Sequence, residues 1–106
     1  MTSESVIQSL REFMAEREWG QFHSPENLAK SISSESGELL ECFQWNGDGD
    51  RERVADELAD VLTYAMLLAD RMDFDPEQIV LDKLERTRSK YPVDKAKGRS
   101  TRYDQL

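Results

Sequence analysis

Cysteine and histidine are almost absent from this 106-residue sequence, which contains one of each, Cys42 and His23. A single cysteine excludes an internal disulfide framework, so we expect a reducing compartment and predict a cytoplasmic location. The two side chains also leave no ligand set for a structural zinc site. Cys42 is predicted to be a small core residue rather than a nucleophile, because the histidine lies 19 positions earlier.

Long apolar runs and an excess of positive charge are also missing. The longest uncharged stretch in the second half, residues 61–69, is too short to cross a bilayer, and residues 1–13 lack the basic flank and apolar core of a secretory signal. With 14 Lys and Arg against 22 Asp and Glu, the net charge of −8 disfavours binding to a nucleic-acid backbone. We therefore expect neither a membrane nor a nucleic-acid polymer among the partners.

The five glycines and three prolines are few, and most of them mark helix boundaries. Ser-Pro at 24–25 and Asp-Pro at 75–76 each combine an N-cap with proline at the first helical position. Residues 46–50, Asn-Gly-Asp-Gly-Asp, form a breaker between two apolar segments. No strand-like alternation appears. The sequence therefore predicts an all-α fold with helices at about 4–18, 25–45, 51–73 and 76–90, followed by a polar tail at about 93–106.

This length suggests one domain, residues 1–106, with a modest hydrophobic core. The apolar stripes of the second and third helices are wide, which favours burial on more than one side. On the second helix the stripe consists of Leu28, Ile32, Leu39 and Phe43, and on the third of Val54, Leu58, Val61, Ala65, Leu68 and Met72. We expect a homo-oligomer that completes the core between subunits.

Carboxylates interrupt both stripes. Glu35 falls within the apolar arc of the second helix, and Glu38 lies on its border one turn later. On the third helix Glu57 borders the stripe, Asp60 follows one turn later, and Tyr64 continues the same line. A glutamate in an apolar stripe costs several kcal/mol unless it is protonated, paired or bound to a metal.

The two helices are joined by a short loop, so an antiparallel hairpin can bring the two carboxylate pairs together. Four converging carboxylates repel each other, and a hard divalent cation with oxygen ligands, Mg²⁺ or Mn²⁺, would stabilise them. A carboxylate-bound Mg²⁺ points towards phosphoryl chemistry. The competing interpretation is a solvated acidic face, since either pair alone is common on charged helices.

Several ordered motifs resemble those of the MazG-like all-α nucleoside triphosphate pyrophosphohydrolases. The paired E-x-x-E and E-x-x-D signature of that superfamily is matched by E-S-G-E-L at 35–39 and E-L-A-D-V at 57–61. Four further segments resemble the dCTP pyrophosphatase branch of this superfamily. They are E-R-E-W-G-Q-F-H at 16–23, F-Q-W at 43–45, D-V-L-T-Y at 60–64 and K-Y-P at 90–92. The likeness runs in one register from about Arg11 to the C-terminus.

This resemblance implies a four-helix MazG-like fold and an Mg²⁺-dependent enzyme that cleaves a nucleoside triphosphate to the monophosphate and pyrophosphate. It implies that the metal ligands are Glu35, Glu38, Glu57 and Asp60, and we assign the orientation or deprotonation of the attacking water to Glu38. The implied assembly is a homodimer or homotetramer. The implied role is house-cleaning of the nucleotide pool.

The same resemblance implies a set of substrate-binding residues, which are Trp19, Phe22, His23, Trp45, Tyr64 and Lys83. Aromatic side chains can stack on a nucleobase, and a lysine can contact phosphate. Thr87 and Leu10 depart from the branch, where asparagine and histidine stand at these positions, so the choice among dCTP, dUTP and modified pyrimidine nucleotides stays open. Two rival functions remain, a non-catalytic helical module that binds nucleotides or partner helices, and an acidic oligomerisation domain without a ligand.

Overall fold

A computed structural model describes residues 3–106, and the described backbone contains helices and no strand. The α-helices are α1 (Ser3–Glu16), α2 (Pro25–Glu41), α3 (Arg51–Arg71), α4 (Pro76–Lys90) and the short α5 (Val93–Ala96). Single 3₁₀ turns occupy Trp19–Phe22 and Tyr103–Gln105. The all-α prediction is confirmed, with four substantial helices where the sequence placed them. None of the helices in this part of the chain combines the length and the apolar character needed to span a membrane.

N-terminal caps account for where three of the helices begin, and two of them, Ser24 and Asp75, were predicted. Ser24 Oγ accepts a hydrogen bond from the backbone N–H of Asn27 at the start of α2. Asp50 and Asp75 do the same for α3 and α4, each accepting from two N–H groups in the first turn. These bonds satisfy donors that have no partner within the helix.

Three helices end earlier than predicted. Helix α3 ends at Arg71 rather than at residue 73, and the backbone tightens at the last turns of α1 and α2. Helix α2 ends at Glu41 rather than at residue 45, since the N–H groups of residues 42, 43 and 44 bond carbonyls three residues back. Helix α1 ends at Glu16 rather than at residue 18, where Glu18 adopts a left-handed φ of 53°. The prediction that Trp45 ends the second helix was therefore wrong, and Trp45 lies in the loop that follows it.

The helices form two compact units, one of residues 3–74 and one of residues 75–106. The expected single domain of residues 1–106 stays a prediction. In the first unit α2 and α3 pack along each other as a hairpin, and α1 contacts α3. In the second unit the predicted polar tail folds back, so that the Tyr103 ring lies edge-on to Tyr91 at 6.1 Å and beneath Lys90 Nζ at 4.6 Å.

The buried core is small. Its apolar members among the described residues are Ile7, Leu28, Cys42, Leu67 and Ala69. Cys42 is buried, as predicted, and its Sγ lies 3.6 Å from the carbonyl oxygen of Glu38. Leu58 and Met72, which the sequence assigned to the buried stripe of the third helix, are instead 43% and 44% exposed. The first unit thus leaves a large part of its apolar surface uncovered.

Two glycines of the hairpin differ in what they require of the backbone. The sequence suggests that Gly37, in the middle of α2, permits a close helix approach, but a Cβ built at this position meets no atom within 4 Å. That expectation was wrong. Gly49 lies in the α2–α3 loop at φ +70°, and a Cβ there would lie 2.9 Å from the Phe43 ring. Of these two positions, Gly49 is the one whose backbone conformation requires glycine.

We expect Gly37→Ala to raise the free energy of unfolding by about 0.5–1 kcal/mol, because alanine is the better helix former and finds open space. Gly49→Ala, the matched control, should instead destabilise by at least about 1 kcal/mol, since its φ is left-handed and its Cβ clashes. Urea denaturation of both variants measures these values. A destabilised Gly37→Ala protein would show that another surface covers this face of α2.

Candidate active site

Three of the four predicted metal ligands lie close together across the α2–α3 hairpin. Glu35 on α2 and Glu57 and Asp60 on α3 each offer a carboxylate oxygen, and these oxygens lie within 4.8 Å of one another. Helical spacing places Glu57 and Asp60 one turn apart on the same face of α3. The hairpin brings the α2 carboxylate to that face. The fold thus brings together three of the four carboxylates that the sequence expected to converge.

The environment of these carboxylates is unfavourable for negative charge. Oε2 of Glu35 and Oε2 of Glu57 are buried, and no hydrogen-bond donor reaches either atom within the described chain. Burial raises the pKa of Glu35, and the charges of Glu38 and Asp60 raise it further. Burial also raises the pKa of Glu57, followed by its hydrogen bond with Glu38 and the charge of that side chain. Two glutamates are therefore held where protons or a cation would be attracted.

Glu38, the fourth predicted ligand, stands at the solvent side of the cluster. It is exposed, and its carboxyl group is within hydrogen-bonding reach of both Glu35 and Glu57. It is not one of the three residues whose oxygens converge most closely. Its position beside the cluster leaves its carboxylate accessible to water. Its roles as ligand and as base stay predictions.

The carboxylate cluster fits a divalent cation. Mg²⁺ takes oxygen ligands at about 2.0–2.1 Å, so the oxygens that share one ion lie about 4 Å apart or less. Separations within 4.8 Å therefore require only small side-chain movements. The buried oxygens without donors, on Glu35 and Glu57, are the atoms that a cation would satisfy. The cluster can hold a metal ion, and its all-oxygen composition is typical of Mg²⁺ or Mn²⁺ rather than of Zn²⁺.

Two of the predicted substrate-binding residues meet next to the cluster. Tyr64 lies one turn beyond Asp60 on α3, and its ring lies edge-on to His23 with centroids 6.5 Å apart. Both side chains are half-buried. His23 follows the 3₁₀ turn, and its N–H donates to the carbonyl of Gly20. The side-chain amide of Asn27, at the start of α2, donates to the carbonyl of Phe22 and ties the turn to that helix. The ring pair extends the site from the carboxylates towards α1.

The other predicted aromatic residues are exposed. The Trp19 ring contacts Phe13 edge-on at 5.5 Å. Phe22 is 61% exposed and Trp45 is 90% exposed. Among residues 3–106 no aromatic ring contact joins any of these three to Tyr64 or His23. Their contact with substrate stays a prediction, and their exposure leaves them free to meet a ligand or a second subunit.

Lys83 belongs to the second compact unit, on α4. Its side chain is exposed, and its backbone carbonyl accepts a hydrogen bond from the hydroxyl of Thr87 at 3.0 Å. The two residues are four positions apart and therefore share one face of α4. The phosphate contact assigned to Lys83 stays a prediction.

Sequence reasoning missed an ion pair and a cavity in the first unit. Arg11 Nε lies 3.1 Å from both carboxylate oxygens of Asp70, and Arg11 Nη2 donates to Oδ1 of the same group. This pair joins α1 to α3 at the wall of a cavity of about 580 Å³. The two residues are 59 positions apart, so no local pattern could have paired them. Arg71 also lines the cavity.

Fold, carboxylate cluster and sequence comparison together define the class of protein. The model of the MazG-like family matches residues 30–106, and the chain belongs to this family. It is 42% identical over 115 residues to human dCTP pyrophosphatase 1, covering 99% of this chain and 68% of the relative. The mouse dCTP pyrophosphatase 1 is 40% identical over 115 residues, with the same coverage.

A solved structure supports the same assignment of the fold. The crystal structure of a pyrophosphatase from Archaeoglobus fulgidus superposes with a TM-score of 0.79 at 40% sequence identity. The match covers 84% of this chain and 91% of the archaeal chain. The MazG-like fold predicted from the motifs is therefore confirmed.

Proposed function

We propose that this protein is a divalent-metal-dependent nucleoside triphosphate pyrophosphohydrolase that converts its substrate to the nucleoside monophosphate and pyrophosphate. The observation that carries the proposal is the carboxylate cluster on α2 and α3, with its two buried oxygens that lack donors. It occurs in a chain about 40% identical to proteins named dCTP pyrophosphatase 1. Their name supports dCTP or a modified pyrimidine deoxynucleotide as the preferred substrate, and house-cleaning of the nucleotide pool as the role.

The carboxylates have two tasks in the proposed reaction, to hold the metal ion and to act on the attacking water. Glu35, Glu57 and Asp60 would hold Mg²⁺, or Mn²⁺, with Glu38 completing the set. A bound ion supplies positive charge to the phosphates and acts as a Lewis acid towards the attacking water. Glu38 is exposed beside Glu35 and Glu57. This exposure supports the proposal that its carboxylate would orient the attacking water and accept its proton.

The remaining predicted residues would position the nucleotide. Tyr64 and His23 form a wall next to Asp60 that can contact the sugar or base. Trp19, Phe22 and Trp45 are exposed aromatic side chains suited to stacking on a base. Lys83 would neutralise phosphate charge that the metal leaves uncompensated. A cytoplasmic location follows from the single cysteine and stays part of the proposal.

A panel assay tests the activity. Purified protein is incubated with natural and modified nucleoside triphosphates, with and without Mg²⁺, and the released pyrophosphate is measured. We expect metal-dependent pyrophosphate release, fastest with a pyrimidine deoxynucleotide. Release of orthophosphate alone would indicate a different cleavage position. No hydrolysis of any triphosphate would favour the rival interpretation, a non-catalytic module that binds nucleotides or partner helices.

We also propose a homodimer or homotetramer. Large apolar side chains are exposed along α3 and α4, namely Leu58, Leu62, Ile79, Val80, Leu81 and Leu84. On each of the two helices, exposed apolar surface of this kind marks an interaction site more often than a solvated face. A second copy of the chain would cover it and enlarge the small core.

We expect Leu62→Glu to convert the assembly to a lower oligomeric state, because it places a charge in the proposed interface at a cost of several kcal/mol. Leu62 is 53% exposed on α3. Light scattering coupled to size-exclusion chromatography measures the mass. Ser33→Glu introduces the same charge at an exposed site of α2 and should leave the mass unchanged. A monomeric parent protein would rule the assembly out.

A further inference from the structure

The loop between α2 and α3 contains an Asn-Gly step that the carboxylate cluster does not use. Asn46 and Gly47 are both exposed and lie outside any helix. Asparagine followed by glycine is the pair most prone to lose its side-chain amide, because glycine has no Cβ to hinder attack by its own backbone nitrogen. The loop therefore contains a candidate site of covalent modification that needs no enzyme.

The hydrogen bonds of the loop leave the reacting nitrogens free. The N–H of Asp48 donates to Asn46 Oδ1 at 3.0 Å, and the N–H of Gly49 donates to the backbone carbonyl of Asn46 at 3.0 Å. Within residues 3–106, neither the Gly47 N–H nor Asn46 Nδ2 donates a hydrogen bond. The nitrogen that would attack and the nitrogen that would leave are thus both without a partner in this part of the chain.

The bond from Asp48 to Asn46 Oδ1 also favours the reaction. It makes an Asx turn, in which the asparagine side chain curls back over the following peptide group. The ring that the bond closes contains both Asn46 Cγ and the Gly47 nitrogen, the two atoms that would join. A donor on Oδ1 stabilises the negative charge that develops on this oxygen when Cγ is attacked.

Glycine at position 47 is not required by the fold. A Cβ built there meets no atom within 4 Å, and the φ angle of Gly47 lies outside the left-handed region. Gly49 differs, since its φ is +70° and its Cβ would lie 2.9 Å from the Phe43 ring. Gly47 can therefore be replaced without disturbing the loop, which makes its effect on the chemistry testable.

The only other asparagine of the chain, Asn27, is held in the opposite way. Its Nδ2 donates to the carbonyl of Phe22 at 3.2 Å. The N–H of the next residue, Leu28, bonds the carbonyl of Ser24 at 2.9 Å in the first turn of α2, and the Leu28 side chain is buried. The nitrogen that would attack is occupied and shielded, so Asn27 is an internal control.

We infer that Asn46 is a deamidation site of the folded protein, and that its isoaspartyl product weakens the α2–α3 hairpin. The Gly47 nitrogen loses its proton to water or hydroxide and bonds to Asn46 Cγ. The Cγ–Nδ2 bond breaks, and Nδ2 leaves as ammonia with a proton from the solvent. Water then opens the cyclic imide at Cγ, which gives aspartate, or at the backbone carbonyl, which gives isoaspartate. The balance is one water consumed and one ammonia released.

Isoaspartate changes the connection between the two helices that carry the carboxylate cluster. The main chain then runs through Cγ, so the loop becomes longer by one methylene. The carbonyl that accepts from the Gly49 N–H becomes part of a carboxylate off the main chain. Because Gly49 packs closely against Phe43 and Val54, a longer backbone disturbs these contacts. The new negative charge lies beside Asp48 and Asp50, which adds repulsion.

Peptide mapping of incubated protein tests the site. The folded chain is kept for several days near neutral pH and at higher pH, and trypsin then separates residues 18–30, with Asn27, from residues 31–51, with Asn46. We expect deamidation to be at least about tenfold faster at Asn46, which is about 1.4 kcal/mol in activation free energy. The rate at Asn46 should rise with pH, because the attacking nitrogen must lose its proton.

Matched glycine variants assign the reaction to the Gly47 nitrogen. Gly47→Ala should slow deamidation at Asn46 by at least about tenfold, because its Cβ hinders ring closure. Gly37→Ala, which also meets open space but has no asparagine beside it, should leave the rate unchanged. Equal rates at Asn46 and Asn27 in the folded chain, or an unchanged rate in Gly47→Ala, would overturn the assignment.

Two further measurements test the folded-state origin and the consequence. In urea the rate at Asn27 should rise, since the helix no longer occupies the Leu28 N–H, while the rate at Asn46 should stay close to its folded value. A rise at Asn46 as large as that at Asn27 would show that the native loop protects it. Isoaspartate is detected with an isoaspartyl methyltransferase, and the mass change excludes isomerised Asp48. The separated isoaspartyl form should have a lower Tm than the parent, and an equal Tm would contradict the weakening of the hairpin.

Discussion

Glu57→Gln is expected to reduce kcat/KM for the preferred triphosphate by at least about a hundredfold. Glu57 contributes an oxygen to the carboxylate cluster and holds a buried oxygen that no donor satisfies. Glutamine keeps the shape but removes the charge that binds the cation, and metal ions supply several kcal/mol of transition-state stabilisation. A loss of about 2.7 kcal/mol corresponds to a hundredfold in rate. Steady-state kinetics at saturating Mg²⁺ measures the effect.

Asp56→Asn is the matched control, because Asp56 precedes Glu57 on α3, is exposed, and lies outside the cluster. It should retain activity within about twofold. In the absence of metal, Glu57→Gln should be at least as stable as the parent, since it removes one charge that its neighbours repel. Full activity in Glu57→Gln would disprove the assignment of the metal site. Loss of helical content by circular dichroism would indicate a structural role instead.

The metal-free protein is expected to lose stability as the pH rises above about 4.5. In the folded chain the pKa values of Glu35 and Glu57 are raised above the ordinary glutamate value of 4.5, chiefly by burial. Between the unfolded and the folded pKa, the folded state binds more protons than the unfolded state, so the free energy of unfolding falls with increasing pH. Thermal unfolding in the presence of a chelator, from pH 4.5 to 8, measures this slope.

Mg²⁺ should reverse this trend. The ion binds the deprotonated carboxylates, so its stabilisation grows with pH, and at a concentration one hundred times the Kd it amounts to about 2.7 kcal/mol. In a domain of this size each kcal/mol raises Tm by about 4–8 °C. Glu57→Gln should show a smaller response to Mg²⁺. An identical Tm profile with and without Mg²⁺ or Mn²⁺ would argue against a metal site at the cluster.

Asp70 has the opposite effect on the pH dependence of stability, and it acts at lower pH. Its hydrogen bond with Arg11 lowers its pKa below the ordinary aspartate value of 3.8. The pair therefore stabilises the fold above that pH, and this stabilisation is lost on further acidification. Starting the titration at pH 4.5 therefore separates the two effects. The decline expected above that pH then reports the carboxylate cluster.

Local sequence was sufficient to predict the helices and the carboxylate pairs. Ser24, Asp50 and Asp75 each act through hydrogen bonds to N–H groups two or three residues away, so the cap signals are complete within a short segment. The spacing of Glu35 and Glu38, and of Glu57 and Asp60, fixes which face of a helix they share. These features need no information about the rest of the chain.

Helix ends and burial were less predictable, because they depend on competition between neighbouring segments. Helix α2 stops at Glu41 because the following N–H groups turn to carbonyls three residues back, and the apolar pattern does not record that choice. Leu67 is buried, while Leu58 on the same helix is 43% exposed. Both are leucines, and only the surface packed against each of them distinguishes the two.

The scarcity of cysteine, histidine and positive charge, the helix caps and the spacing of the acidic residues were determined by the sequence alone, because each is a local property of the chain. Tertiary structure decided that three carboxylates converge across the α2–α3 hairpin and that Tyr64 meets His23. It also decided that Arg11 pairs with Asp70 beside a cavity. Contacts between residues tens of positions apart depend on how helices pack, since packing brings together side chains whose separation along the chain carries no record of it.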